Sequence, residues 1–164
     1  MAPSFKSSHH DDYMTPKSAW EAIAHLIPKG KVVWEAFYGN GDSGRYLKEL
    51  GFDVIHDESL DFFKEDVGDI IVSNPPFSMI ERVMKRLDET EKPFILIMPS
   101  YKIKSTCFRD LFGYKRLQIV IPRVRIQFSK WIDKSVLKKE NKCSFDCFYY
   151  CYKMKLPKDL LFLE

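Results

Sequence analysis

Cysteine pairs, long apolar runs and repeats are missing from this sequence, and each absence removes a class of protein. The four cysteines, Cys107, Cys143, Cys147 and Cys151, form no C-x-x-C pair, and three crowd into one strand-like stretch. Reduced, buried thiols are therefore expected rather than a disulfide framework. No run approaches the roughly 20 apolar residues that span a bilayer. The opening MAPSFKSSHHDD lacks the apolar core of a signal peptide. A soluble intracellular protein with no membrane partner is the expectation. There is no internal repeat and no low-complexity tract.

What is present suits one packed core. The chain has 164 residues, 45% hydrophobic and 15% aromatic, too short for two ordinary domains. Residues 1–11 read as a flexible N-terminus and residues 12–164 as a single domain. The net charge of +3 is unevenly spread. Residues 1–100 carry 11 Lys/Arg against 17 Asp/Glu, residues 101–142 carry 12 against 3, and residues 143–164 carry 3 against 3. A basic block of that density suits a polyanion such as nucleic acid; a solvated basic face has the same composition.

Apolar runs alternate with helical patterns along the first two thirds. SAWEAIAHL predicts a helix over 18–26, capped by Ser18 and stopped by Pro28, with Trp20, Ile23 and Ile27 on one face. KVVWEAF is followed by SGRYLKEL, FDVIHD by a short helical turn, DIIVS by SMIERVMKRL, and PFILIMP by STCFRDLF. Repeated strand-helix order argues for a parallel sheet covered by helices on both faces. The last third reads differently. RLQIVIP, VRIQF and FDCFYYCYKM are strand-like, with a helix between them only around Trp131 to Leu137. An antiparallel finish to the sheet follows.

Chemistry concentrates after two of the strands. Gly39-Asn40-Gly41-Asp42-Ser43-Gly44 is a G-x-G-x-x-G opening a helix, where Gly39 and Gly41 let the backbone turn close to a ligand. Asp57, at the end of the second strand, is placed for ribose hydroxyls. A dinucleotide would satisfy these features, its pyrophosphate on the helix N-terminus. Glu35 would repel a pyrophosphate but attract a cation such as a sulfonium or its α-ammonium. Tyr13, Met14, Thr15 and Pro16 precede the first helix, and Asp61, Phe62 and Phe63 could bond an exocyclic amine and pack on a purine. Taken singly, Thr15-Pro16 and Asp61 read as helix caps; jointly, the set favours S-adenosylmethionine.

The second concentration is VSNPPFS, residues 72–78. Asn74 ends a strand at the carboxyl edge, where open α/β sheets bind ligands. Pro75 and Pro76 lock φ and fix the carbonyl directions. An aromatic amine is a poor nucleophile because its lone pair is delocalised. Two acceptors on its hydrogens, the Asn74 side-chain oxygen and the Pro75 carbonyl, would push it toward a tetrahedral nitrogen, leaving little to do but align it. Phe77 would stack on a base that is flipped out or unpaired.

NPPF together with EAFYGNG resembles the S-adenosylmethionine-dependent amino-methyltransferases. Within them, YMTP and Trp20 before the glycine loop and PRVRIQF late in the chain are most similar to the phage-type (Dam-like) DNA adenine-N6 methyltransferases. The resemblance covers roughly residues 12–153, with Tyr38 and Asn40 in place of the small residues usual in the glycine loop. It implies a Rossmann-like class I methyltransferase fold: a mostly parallel seven-stranded sheet with helices on both faces and an antiparallel C-terminal strand. Tyr13, Thr15, Glu35, Phe37, Gly39, Asp57, Asp61 and Phe62 would line S-adenosylmethionine, and Asn74, Pro75 and Phe77 the target base. No separate target-recognition domain fits in the chain, so a homo-oligomer or a partner subunit is a further expectation. Cytoplasm, nucleus or a virus- or phage-infected cell would all suit such an enzyme.

The substrate would then be held by loops and the basic third. Arg123, Arg125, Lys102 and Lys130 could grip phosphates, with Tyr101 or Trp131 stacking on a neighbouring base. Such contacts position without specifying. DNA is favoured, with RNA amino-methyltransferases and protein glutamine methyltransferases as users of the same loop. A nicotinamide enzyme would explain GNGDSG but not NPPF, and an inactive nucleic-acid-binding subunit would not need NPPF. His9-His10 beside Asp11-Asp12 could bind a metal, but methyl transfer to an amine requires none and none is expected.

Overall fold

A computed structural model describes residues 13–113, 116–133, 136–139 and 145–164, with 130–133 and 136–139 described by backbone alone. The readings of the N-terminus, of His9 to Asp12, of Cys143, and of the side chains of Lys130 and Trp131 fall outside the described residues. Two sheets organise what is described. A short strand β1 (Tyr13–Met14) precedes helix α1 (Lys17–Glu21), strand β2 (Val32–Trp34), helix α2 (Asp42–Glu49) and strand β3 (Asp53–Ile55). Strand β4 (Ile70–Ser73), helix α3 (Ile80–Thr90), strand β5 (Phe94–Pro99), helix α4 (Thr106–Phe112) and strand β6 (Leu117–Ile121) follow. The chain ends with β7 (Ser129–Asp133), β8 (Val136–Lys139), β9 (Cys147–Tyr152) and β10 (Leu160–Phe162).

Seven strands form the main sheet in the order β10-β6-β9-β5-β4-β2-β3, all parallel except β9, which runs antiparallel between β5 and β6. Strand pleating explains the two cores. Phe94, Leu96 and Met98 of β5 and Tyr150 and Tyr152 of β9 face one layer, with Val83, Met84 and Leu87 of α3 and Phe108 and Phe112 of α4. Ile95, Ile97, Tyr149 and Cys151 face the other layer, with Trp20 of α1 and Leu47 of α2. Because both faces are covered, the central strands are continuous apolar runs rather than alternating ones, and every residue of β5 is buried. This is the expected Rossmann-like α/β fold.

The strand order changes direction at β2. From it the chain steps outward to β3, then crosses back to β4 on the other side of β2. The helix after β2 lies on one face and the helix after β4 on the other. Two neighbouring strands whose connections diverge in this way leave a crevice outside their carboxyl ends.

The structure corrects the sequence reading at four places. The helix expected over 18–26 splits into α1 and a 3-10 turn at Ala24–Leu26, and its N-cap is Pro16, not Ser18. Trp20, Ile23 and Ile27 are nevertheless all buried. VRIQF is not a strand: residues 122–128 are irregular, although Ile126 and Phe128 are buried. Where a helix was expected around Trp131 to Leu137, β7 and β8 instead form an antiparallel pair, and β7 pairs on its other side with β1. At the far edge of the main sheet β10 adds a strand parallel to β6 that the sequence pattern did not reveal. Among the described residues no helix is long and apolar enough to cross a membrane.

Cys147 and Cys151 are buried thiols on one face of β9, and burial pushes Cys151 up to about 12. Between them Tyr149, also fully buried, donates its hydroxyl hydrogen to the Ala19 carbonyl at 2.6 Å, tying β9 to α1. Tyr149→Phe should lower unfolding free energy by about 1–2 kcal/mol, because the carbonyl loses its buried donor. Urea denaturation with an unchanged slope is the check.

Candidate active site

The crevice is built from three chain segments. Glu35, Phe37, Tyr38, Gly39 and Asn40 leave β2, Asn74 to Phe77 leave β4, and Tyr13, Met14 and Thr15 come from β1 and its exit. Together with Ser43 they border an open cleft of about 520 Å³, part of it exposed to solvent. Eight predicted site residues border this one cavity: Tyr13, Thr15, Glu35, Phe37, Gly39, Asn74, Pro75 and Phe77.

Ser73, which the sequence reading passed over, holds the two strand ends together. Fully buried at the end of β4, it donates its hydroxyl hydrogen to Glu35 Oε1 and accepts from the Phe37 backbone N–H at 3.3 Å. A polar residue closing the apolar run DIIVS is the one signal that could have flagged it. The second carboxylate oxygen, Glu35 Oε2, is buried with no hydrogen-bond partner among the described residues. Glu35 is only 2% exposed, and burial pushes its pKa up to about 8 against the lesser opposing pull of the Ser73 and Phe37 hydrogen bonds.

Asn74 has the same half-satisfied character. Its Nδ2 donates to Thr15 Oγ1 at 3.0 Å and to the Tyr13 carbonyl at 3.5 Å, while Oδ1 is buried without a donor among the described residues. Phe77 sits among aromatic rings from distant parts of the chain. Tyr13 stacks at 6.3 Å between centroids, Phe128 lies edge-on at 6.3 Å and Phe145 edge-on at 5.6 Å. The two end segments, YMTP and RIQF, thus converge on NPPF. Phe145 gave no sequence signal, since its partners are far away in the chain.

The glycine loop is shaped by close packing. Gly41 caps α2 with φ +84°, and a Cβ there would come within 2.8 Å of the Tyr38 hydroxyl. A Cβ on Gly44 would meet His56 at 2.2 Å. Tyr38 stacks on His56 at 5.5 Å and 12°, so this large residue fills space between the glycine loop and the end of β3. Asn40 accepts from the Asp42 N–H at 3.0 Å and donates to the Asp42 carboxylate at 2.9 Å. The first turn of α2 therefore presents an acidic, already bonded end.

Other predicted residues lie outside the cleft lining. The Asp57 carboxylate accepts from Ser59 N–H at 2.9 Å and Ser59 Oγ–H at 2.7 Å, and those bonds hold its pKa low. Asp61 accepts from the Phe63 N–H at 2.9 Å, and Phe62 is buried against Trp34 and Phe37. Tyr101 is 52% exposed, with Lys102 Nζ 5.9 Å from its ring centroid. Arg123 is exposed; Arg125 is held by Asp146 through two hydrogen bonds of 2.8 and 3.3 Å.

Glu35 gives a pH prediction for the protein without added ligand. Its folded pKa of about 8 exceeds the ordinary value of 4.5, so between these values the folded chain keeps a proton that the unfolded chain releases. Its contribution is complete below the unfolded value and is lost as pH rises toward about 8. Glu35→Gln should flatten this fall, so that the variant gains on the wild type with rising pH. Parallel stability profiles from pH 4 to 9 would contradict it.

No family model and no curated protein sequence matches the chain. Among solved structures it is similar to ribosomal protein L11 methylase from Lactobacillus delbrueckii subsp. bulgaricus, at 15% identity and a TM-score of 0.49, over 81% of this chain and 75% of that one. It is also similar to TehB from Haemophilus influenzae, at 12% identity and a TM-score of 0.46, over 84% of this chain and 62% of that one.

Proposed function

We propose that the protein is an S-adenosylmethionine-dependent methyltransferase acting on a planar amine, the N6 amine of adenine in DNA. One observation carries the reading: two buried acceptor atoms without partners among the described residues, Glu35 Oε2 and Asn74 Oδ1, belong to side chains that border one cleft at the carboxyl ends of adjacent strands. An unmet buried acceptor costs about 1–3 kcal/mol. A ligand with a cation for the first and an N–H for the second would relieve both.

The residues fit S-adenosylmethionine better than a dinucleotide. Glu35, giving up its proton on binding, would pair with its positive charge, and Tyr13, Phe37 and Gly39 would pack along it. When bound, it supplies an electrophilic methyl group. A pyrophosphate would instead meet Glu35 and, at the start of α2, the Asp42 carboxylate. The Asn74 Oδ1 and the Pro75 carbonyl would accept from the target amine, localising its lone pair on nitrogen. Pro75 and Pro76 add no N–H of their own to compete for those acceptors. The NPPF motif and its resemblance to amino-methyltransferases support the same reading.

Nucleic acid as the substrate is supported by charge. β4, β5 and β6 run parallel, so the loops after β5 and β6 leave from the edge that carries Asn74. Exposed Lys104, Arg123 and Tyr101 and half-buried Lys102 stand on those loops. If Lys102, Lys104 and Arg123 each meet a phosphate, raising salt from 50 to 200 mM should weaken binding roughly 20- to 40-fold. Salt-independent affinity would sink this part of the reading.

Titration with labelled S-adenosylmethionine and with NAD separates the two cofactors. Incubation with S-adenosylmethionine and separate pools of DNA and RNA, followed by nucleoside mass spectrometry, should give N6-methyladenine in DNA. The same product in RNA alone would reassign the substrate, and methylated glutamine in a protein pool would remove nucleic acid. Asn74→Ala should abolish turnover while leaving S-adenosylmethionine binding nearly intact.

A further inference from the structure

We propose that Thr15 is a positioning residue for Asn74: by accepting the carboxamide N–H it holds the Asn74 carbonyl oxygen in the orientation that receives the target amine. The proposal rests on the methyl-transfer reading above. It assigns the Thr15 hydroxyl to the catalytic amide rather than to the cofactor.

The two ends of a carboxamide are nearly alike in size, so hydrogen bonds alone decide which way it faces. Here both partners lie on the nitrogen side, Thr15 Oγ1 at 3.0 Å and the Tyr13 carbonyl at 3.5 Å. A backbone carbonyl can only accept. Reversing the amide would set two carbonyl oxygens against each other and leave the NH2 group facing the position now held by Oδ1. The Thr15 hydroxyl is the shorter of the two contacts and the one a side-chain substitution can remove.

Thr15 is a rigid support for this task. It is 4% exposed and β-branched, which restricts its rotamers. On one side it follows β1, which is paired to β7 with Tyr13 opposite Lys130 and Met14 opposite Ser129. On the other it precedes Pro16, the N-cap of α1, whose φ of −70° and ψ of 153° turn the chain into that helix. A paired strand and a helix therefore fix an acceptor that reaches 59 residues along the sequence to the end of β4.

Thr15→Val keeps the shape and removes the acceptor; Thr15→Ser keeps the acceptor. Thr15→Val should lower kcat about tenfold or more, as expected for one lost orienting hydrogen bond. The S-adenosylmethionine Kd should be nearly unchanged, and Thr15→Ser should recover most of the rate. In 1H–15N spectra the Asn74 carboxamide signals, identified by their loss in Asn74→Ala, should shift and exchange faster in Thr15→Val. Should that variant be too unstable, Thr15→Ala gives the same readouts. Unchanged carboxamide signals, or a full rate with weakened cofactor binding, would overturn the proposal. A wild-type protein that binds no S-adenosylmethionine would instead overturn the methyl-transfer reading, while the carboxamide signals would still decide whether Thr15 holds the amide.

Discussion

One hydroxyl at the centre of the sheet organises the site. Ser73 closes β4 and bridges to Glu35 and to the Phe37 backbone beyond β2, so the two strand ends cannot part without breaking the bonds of a buried hydroxyl and a buried carboxyl group. The residue before this bridge packs into the sheet; the residue after it, Asn74, enters the cleft. The direction in which NPPF leaves the sheet and the course of EAFYGNG are thus set by the same contact. An apolar residue at 73 would take the Ser73 hydrogen bond from a carboxyl group buried in the core, a cost that a marginally stable fold would feel directly.

The site is the place where the chain sets aside the rules it obeys elsewhere. Across the sheet, apolar runs, pleat and helix faces agree, and the cores on both sides are continuous. At the cleft, among the described residues, a carboxyl group is buried with one oxygen unmet, an amide oxygen is buried without a donor, and a non-helical loop runs through left-handed glycine conformations. Such local conflicts reduce stability and persist where a ligand relieves them. Glu35 shows the trade most plainly: the burial that raises its pKa also makes it a strong partner for a buried cation.

What was legible in the sequence depended on how local the cause was. β2, β4, β5, α2 and α3 follow from apolar runs and helical spacing, and Gly41 and NPPF announce themselves by residue type. VRIQF reads as a strand because its residues alternate, yet Ile126 and Phe128 are buried from an irregular segment whose Arg125 is tied to Asp146. The pairing of β1 with β7 spans more than a hundred residues, and no periodicity encodes it. Asp57 and Asp61 looked like ligand carboxylates because of their position after β3. Each also accepts from the backbone N–H two residues on, the local use that aspartate makes of turns, which the sequence pattern does not separate from a ligand role. Thr15, which lines the cleft, was singled out by the sequence but not its partner, since nothing in YMTP points to a residue 59 positions away.

The antiparallel strand has a consequence for where the basic third can act. Had β9 been parallel to β5, the segment before it would begin at the opposite edge of the sheet. Because it is antiparallel, its first residue, Cys147, lies opposite Pro99, the last residue of β5. Phe145 therefore packs on Phe77, and the Asp146 carbonyl accepts from the Ser100 N–H at 2.8 Å. The excursion from β6 to β9 leaves from the cleft edge and returns to it, with Phe128 packed at one end and Phe145 at the other. Reversing a single strand thus anchors both ends of the charged excursion on Phe77, so that a polyanion bound there would be gathered at the edge of the sheet that carries Asn74.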